Sequence, residues 1–294
     1  MEKLSEGRLE EFKAYLYKYR YVHDESFLYD EDIEKFKISG ENPTELLIEE
    51  NRITGVLSLM CGEYYLAGKK ARTRIFHCER TSLESYKALM ESALSVGFPI
   101  ERIEMFIPEN LDLVQNILHT LGFSNQRTSY VMVRKDKPMV KANFPDGFRL
   151  RPLRKNMDEG AYAMVRNEAF KNLSGSQTPI TIKMVTDQNE DSGLLKEGMQ
   201  ILWYGENPVG ILRMLKESEE SGDYSFVAPI ALLSEYQGKG LGMELLKAGI
   251  ELGQDNGLLN TMLVVNAENE QALSLYMKNG FEVDLAVNCL TLEV

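Results

Sequence analysis

The chain has 294 residues, 44% of them hydrophobic, enough for two domains of ordinary size with proper cores. Its 33 basic residues against 45 acidic ones leave a net charge of −12, which argues against nucleic acid as a partner, because phosphate backbones are held by clustered Lys and Arg. Three cysteines (Cys61, Cys78, Cys289) and three histidines (His23, His77, His119) show no C-x-x-C or H-x-x-x-H spacing, so reduced thiols and no metal are expected. The opening "MEKLSEGRLEEFK" is acidic and amphipathic, and no stretch approaches about 18 uninterrupted apolar residues. Neither a signal peptide nor a membrane contact is expected, and the location reads as cytoplasmic.

The chain begins with two amphipathic helices, near 3–20 and 30–37. Phe12, Tyr15, Tyr19 and Tyr21 lie at near-helical spacing in this region, which reads as a core-covering face and carries no site role. Next, "TELLIEENRITGVLSLMCGEYYLAG" reads as a strand pair and "ARTRIFHCER" as a further strand. "SLESYKALMESALSVGF" is a long helix, "ERIEMFIPE" a strand, "NLDLVQNILHTLGF" a short helix and "SYVMVRK" a closing strand. "RKDKPMVKANFPDG" follows, with two prolines and a charge cluster, and reads as a linker over 135–146.

From residue 147 the order repeats. "FRLRPL" is a strand, "MDEGAYAMVRNEAF" and "TIKMVTDQN" are helices, and "MQILWYGENPVGILRMLKE" is a strand pair about Glu206–Asn207–Pro208. "KESEESGD" (216–223) reads as an exposed hairpin tip, and "YSFVAPIALLSE" as a strand broken by Pro229. After the stretch "QGKGLG", "GMELLKAGIELGQDNG" is a helix with Leu245, Leu246, Ile250 and Leu252 near one face. "NTMLVVNA" is a buried strand, "NEQALSLYMKNG" a short helix and "FEVDLAVNCLTLEV" a terminal strand or hairpin. The shared element order predicts an internal duplication, echoed most closely by "ILHTLGF" against "LYMKNGF". The expected domains are 1-134 and 147-294.

A glycine-rich turn between a strand and a helix is an anion-binding suspect, since backbone N–H groups converge at the helix start. A P-loop is disfavoured because Lys239 is followed by Gly240 and Leu241 rather than by a hydroxyl. A dinucleotide fingerprint is disfavoured because Leu245 stands at its third glycine and the next strand ends in Val264–Val265–Asn266. What remains, Gln237-x-x-Gly240-x-Gly242, resembles the acyl-CoA pyrophosphate loop of the GNAT acetyltransferase superfamily, [QR]-x-x-G-x-[GA]. Asn269, the helix after it, Tyr276 and the Gly280–Phe281 end are similar to that family's second CoA-contacting segment. The resemblance covers 147–294 well and the first half only in element order.

The resemblance implies an α/β (α+β) fold of two tandem GNAT-like domains, each a mixed, mainly antiparallel twisted sheet flanked by helices, with a degenerate N-terminal copy. In that copy "IFHCERTSLESYKAL" has no glycine and Leu118 stands where Tyr276 does, so CoA binding there is not expected. In the second copy, backbone N–H groups of Gly238, Lys239, Gly240, Leu241, Gly242 and Met243 are expected to hold the pyrophosphate of acetyl-CoA. Gln237 braces the loop or touches a phosphate, and Lys239 reads equally well as a solvated charge. A bulge at Pro229 would let Ile230, Ala231 and Leu232 bond the pantetheine arm. Asn269 caps its helix and contacts CoA, and Tyr276 protonates the departing thiolate.

The acceptor is expected to be a small-molecule amine or a protein amino group. No general base is named: Asp223, Glu168 and Glu235 border the expected cleft, and each reads more readily as a surface carboxylate. The alternative function is a non-catalytic acyl-CoA-binding or regulatory protein, with nucleotide binding as a weaker third. Oligomeric state is not legible.

Overall fold

The computed structural model describes all residues except 23–27, 96, 98, 220 and 221. His23 and the middle of the 216–223 tip therefore lie outside the described residues. The chain divides into two compact units, Met1–Ser129 with Ala286–Val294, and Tyr130–Leu285. The first contains β1 (Glu2–Lys3), α1 (Leu9–Tyr19), α2 (Asp30–Glu34), β2 (Thr44–Glu49), β3 (Arg52–Met60), α3 (Glu63–Ala67), β4 (Lys70–Cys78), α4 (Leu83–Leu94), β5 (Arg102–Pro108), α5 (Asp112–Thr120) and the start of β6 (Ser124–Arg134). The second continues with β7 (Phe148–Pro152), α6 (Glu159–Phe170), α7 (Ile182–Asn189), β8 (Leu194–Tyr204), β9 (Asn207–Glu219), β10 (Gly222–Leu232), α8 (Leu241–Asp255), β11 (Thr261–Asn266), α9 (Glu270–Lys278) and the start of β12 (Glu282–Glu293).

In unit 1 the strand order is β1-β2-β3-β4-β5-β12. The C-terminal strand is thus a member of the first unit's sheet: Val287–Glu293 run antiparallel to β5, with Val287 opposite Pro108 and Glu293 opposite Arg102. Period-two alternation in β5 sends Ile103, Met105 and Ile107 to one face, where Tyr86, Leu89, Met90 and Ala93 of α4 cover them. A second cluster packs Phe12, Tyr15 and Leu16 of α1 against Leu46, Val56 and Ile75, with Tyr19 partly buried beside it, whereas Tyr21 is exposed and departs from the core-covering role its spacing predicts. The end of the expected strand pair differs. The Cys61 N–H donates to Glu41 O at 2.8 Å, β3 stops at Met60, and residues 63–67 coil into α3.

In unit 2 the order is β11-β10-β9-β8-β7, with the Tyr130–Arg134 half of β6 beside β11. Leu245, Leu246 and Ile250 of α8 are fully buried against Leu212 and Met214 of β9, each burial contributing about 1.5–3 kcal/mol. The element order from 147 onward is the one the periodicity predicts. The division is not: the chain changes unit at 129/130 and again at 285/286, rather than across 135–146.

Those expected linker residues lie along α8 within unit 2. The N–H groups of Val140, Ala142 and Asn143 donate to side-chain oxygens of Gln254 (3.4 Å), Glu251 (3.1 Å) and Glu244 (2.6 Å). Val140 and Phe144 also pack against the unit's core. A proline-bearing extended segment donates poorly to a ladder, and here its donors are met by one helix's polar side chains.

Candidate active site

All the predicted site residues fall in unit 2 and follow β10 in space. Between Val227, opposite Met214, and Ile230, opposite Leu212, β10 holds two residues where β9 holds one. This is a bulge, and Ala228–Pro229 are the residues in it, with a cis peptide between them. The parallel pairing with β11 covers Ser225–Val227 against Thr261–Leu263, on the near side of that bulge. Ile230, Ala231 and Leu232 keep their β9 partners, Leu212, Ile211 and Gly210. Their other edge lies past the β10–β11 pairing. A strand edge released from its parallel neighbour offers backbone groups to an extended ligand.

After β10 the chain makes a single 3-10 turn, Ser234–Tyr236, and the Gln237 Nε2 donates back to Leu232 O at 3.1 Å. Gln237 is therefore a brace across the turn. Gly238 (φ 71°) and Gly240 (φ 80°) both sit in the left-handed region, where an added Cβ would meet no atom within 4 Å but the backbone conformation disfavours any other residue. Gly242 is different. It has ordinary helical torsions, and a Cβ there would meet Leu275 and Leu232 at 3.7 and 3.8 Å, normal contact distances.

Helix α8 starts from Gly240, which has no side chain to cap it. Among the described residues the N–H groups of Gly238, Lys239 and Gly240 donate to no backbone acceptor, and the first turn of a helix leaves the N–H groups of Leu241 and Gly242 without intrahelical partners. Met243 departs from the expectation: its N–H already donates to Gly240 O at 3.1 Å, the first i→i+3 bond of the helix, and its sulfur accepts from Asn279 Nδ2 at 2.7 Å. It ties α8 to α9. The one acidic residue of the first turn, Glu244, is engaged by Lys247 (2.8 Å) and the Asn143 N–H (2.6 Å), which reduces its opposition to an incoming anion. Lys239 Nζ lies 5.3 Å from the Tyr236 ring centroid.

Asn269 caps α9, its Oδ1 accepting from Ala272 N at 3.2 Å. Two turns on, Tyr276 is 7% exposed, belongs to the core cluster that includes Leu245 and Leu246, and has its ring 5.9 Å from that of Phe281. Among the described residues no protein group hydrogen-bonds its hydroxyl. Burial pushes its pKa up to about 12, which keeps the phenol protonated and able to donate.

The three carboxylates bordering the expected cleft are placed as surface groups. Asp223 pairs with Lys216 at 2.6 Å and accepts from Ser218 at 2.7 Å, and these partners hold its carboxyl below the usual range. Glu168 pairs with Lys171 at 2.5 Å, and Glu235 is exposed. Sequence reasoning missed the aromatic group beside the loop, in which Phe148, Tyr204 and Tyr236 have ring centroids 4.7 to 6.3 Å apart. Single aromatics at strand ends carry no periodic signal. Among the described residues no group of three or more His, Cys, Asp or Glu could hold a metal.

Residues 167–281 match the model of the "Acetyltransferase (GNAT) family". A mycothiol acetyltransferase of Kocuria rhizophila is 31% identical over 148 residues, 49% of this chain and 48% of that protein, so the chain spans about half the length of the curated relatives it matches. Among solved structures, a tandem GNAT protein from the clavulanic acid biosynthesis pathway superposes with a TM-score of 0.70 at 11% identity, covering 99% of this chain and 98% of that one. A GCN5-related N-acetyltransferase from Sphaerobacter thermophilus gives 0.65 at 16% identity, covering 92% and 85%. Both likenesses concern the fold. The half that holds the glycine turn thus contains a segment matching the GNAT acetyltransferase family model, and the chain as a whole has the fold of a tandem GNAT protein.

Proposed function

We propose that the second unit transfers an acetyl group from acetyl-CoA to a primary amine by direct attack. The observation that carries this reading is the uncapped N-terminus of α8, entered through Gly238 and Gly240 directly after a strand whose parallel pairing has ended. An N-terminus of this kind suits a pyrophosphate, and the free strand edge suits an amide-bearing arm. Backbone N–H groups of Gly238, Lys239, Gly240, Leu241 and Gly242 hold the phosphates. Ile230, Ala231 and Leu232 align the arm and polarise the thioester carbonyl, and Asn269 adds a contact from the start of α9.

A neutral amine then attacks the carbonyl carbon. The N–C bond forms, the C–S bond breaks, the amine proton passes to water, and the sulfur takes the proton of the Tyr276 hydroxyl, which solvent restores. The relatives are named mycothiol acetyltransferases, after a small molecule, which favours a small-molecule acceptor here over a protein amino group. A second reading, binding of acyl-CoA without turnover, draws on the engagement of Asp223 and Glu168 in ion pairs, which leaves neither as a ready base. Thiol release from acetyl-CoA across a panel of small amines separates the two. Turnover with any member supports transfer, whereas tight binding with no thiol released beyond spontaneous hydrolysis supports the second reading.

A further inference from the structure

Unit 1 gathers several cations on one face of its sheet. On the face of its sheet opposite α4, Lys70 is in register with Arg102 and Arg72 with Glu104 across the β4–β5 pair. On the other side of β5, Thr291 stands opposite Glu104 and Cys289 opposite Phe106. Directly opposed residues project to one face, so these side chains share a surface. Arg127 of β6 joins them. Its neighbour Thr128 donates to Asn288 Oδ1 at 2.9 Å, and its guanidinium lies 5.4 Å from the Phe106 ring, which also carries Arg72 at 4.2 Å. The charges of Arg127, Glu104, Arg72 and Lys70 all act on the buried Cys289 thiol, which shows how closely they gather.

Glu104, the carboxylate among the described residues of this group, is already committed. Glu104, 4% exposed, accepts from Lys70 at 2.8 Å through one oxygen and from Arg102 at 3.2 Å through the other. Arg127 is 8% exposed and Thr291 2%, and among the described residues neither the buried Nη1 of Arg127 nor the Oγ1 of Thr291 has a hydrogen-bond partner. A buried guanidinium nitrogen and a buried hydroxyl left unpaired on one face each carry a desolvation penalty that an anion with several oxygen acceptors would offset. Arg72, Arg102 and Phe106 are half-buried, so the face opens to solvent at their side.

We propose that unit 1 holds a binding site for the oxyanionic group, phosphate or carboxylate, of a small molecule, with Arg127 and Thr291 as the buried donors and Arg72, Arg102 and Phe106 at its mouth. Guanidinium forks match such groups through paired N–H bonds. The site is separate from the glycine turn of unit 2 and does not depend on that unit's function.

Thermal melts of the full chain in inorganic phosphate or succinate, against chloride at equal ionic strength, test it. The expected result is a rise in Tm of a few degrees with at least one of the two anions, since a ligand of the folded state alone stabilises it. The rise persists in Gly240→Asp, which removes the unit 2 turn as a source, and is lost in Arg127→Gln. Should Arg127→Gln fail to fold, Thr291→Val, close to isosteric, lowers the calorimetric affinity for the active anion about tenfold by removing one bond to a charged group. No rise with either anion, a rise that survives in Arg127→Gln, a rise abolished by Gly240→Asp, or unchanged affinity in Thr291→Val would overturn the proposal.

Discussion

The two units make the same strand-to-helix step in opposite ways. In unit 1, β4 passes to α4 through Glu79–Ser82 with no glycine, and the Ser82 hydroxyl accepts from Ser85 N at 3.3 Å, so the helix start is closed by its own side chain. In unit 2, β10 passes to α8 through two left-handed glycines, and the helix start has no side-chain cap. The strand frames are alike: β4 pairs with β5 over Lys70–Arg72 as β10 pairs with β11 over Ser225–Val227, and each has a register shift against its other neighbour. Two units with like strand frames therefore differ at one helix N-terminus, closed by a side chain in one and open in the other.

Breaking the open end should have the largest effect. Gly240→Asp places a Cβ in the left-handed region and a carboxylate where phosphate is expected, and should weaken acetyl-CoA binding by roughly a hundredfold or more, measured by calorimetry. Tyr276→Phe should leave the acetyl-CoA KM nearly unchanged and lower kcat by about 10–100-fold, because the role proposed for it is to protonate the leaving thiolate. Since the Tyr276 pKa is pushed up to about 12, the donor form persists through alkaline pH, and the wild-type rate should show no Tyr276-dependent fall below about pH 10. The same raised value adds a stability contribution that is fully present below pH 10, the ordinary phenol value, and is lost as pH rises toward 12.

Closing and opening the other helix sharpens the contrast. Ser82→Ala should cost about 1 kcal/mol of stability in a denaturant melt and leave acetyl-CoA binding unchanged. Gly242→Ala should be the mildest change, within about 0.5 kcal/mol, because its torsions and neighbours already admit a methyl group.

Periodicity carried much of the fold. Alternation in 101–109 and the helical stripe of Leu245, Leu246 and Ile250 depend on which face is buried, and burial follows the pattern directly. Gln237, Gly238, Gly240 and Asn269 were legible because their local roles, a brace, two left-handed torsions and a cap, are written in residue type. Strand partners were not. Nothing in "LAVNCLTLEV" says that it lies beside β5, some 180 residues earlier, because long-range pairing leaves no local spacing to read. For the same reason the strap over 135–146 read as a linker, and Arg127 and Thr291 showed no association before the fold brought them together. Position in the motif points Met243 at the phosphate, while the first i→i+3 bond of α8 claims its N–H.

The claim that one unit has an open helix start and the other a closed one is tested most directly by the stoichiometry of acetyl-CoA binding to the full chain, measured by isothermal titration calorimetry. The account predicts a single site per chain, lost in Gly240→Asp. Two sites per chain, or one that survives Gly240→Asp with undiminished affinity, would contradict it.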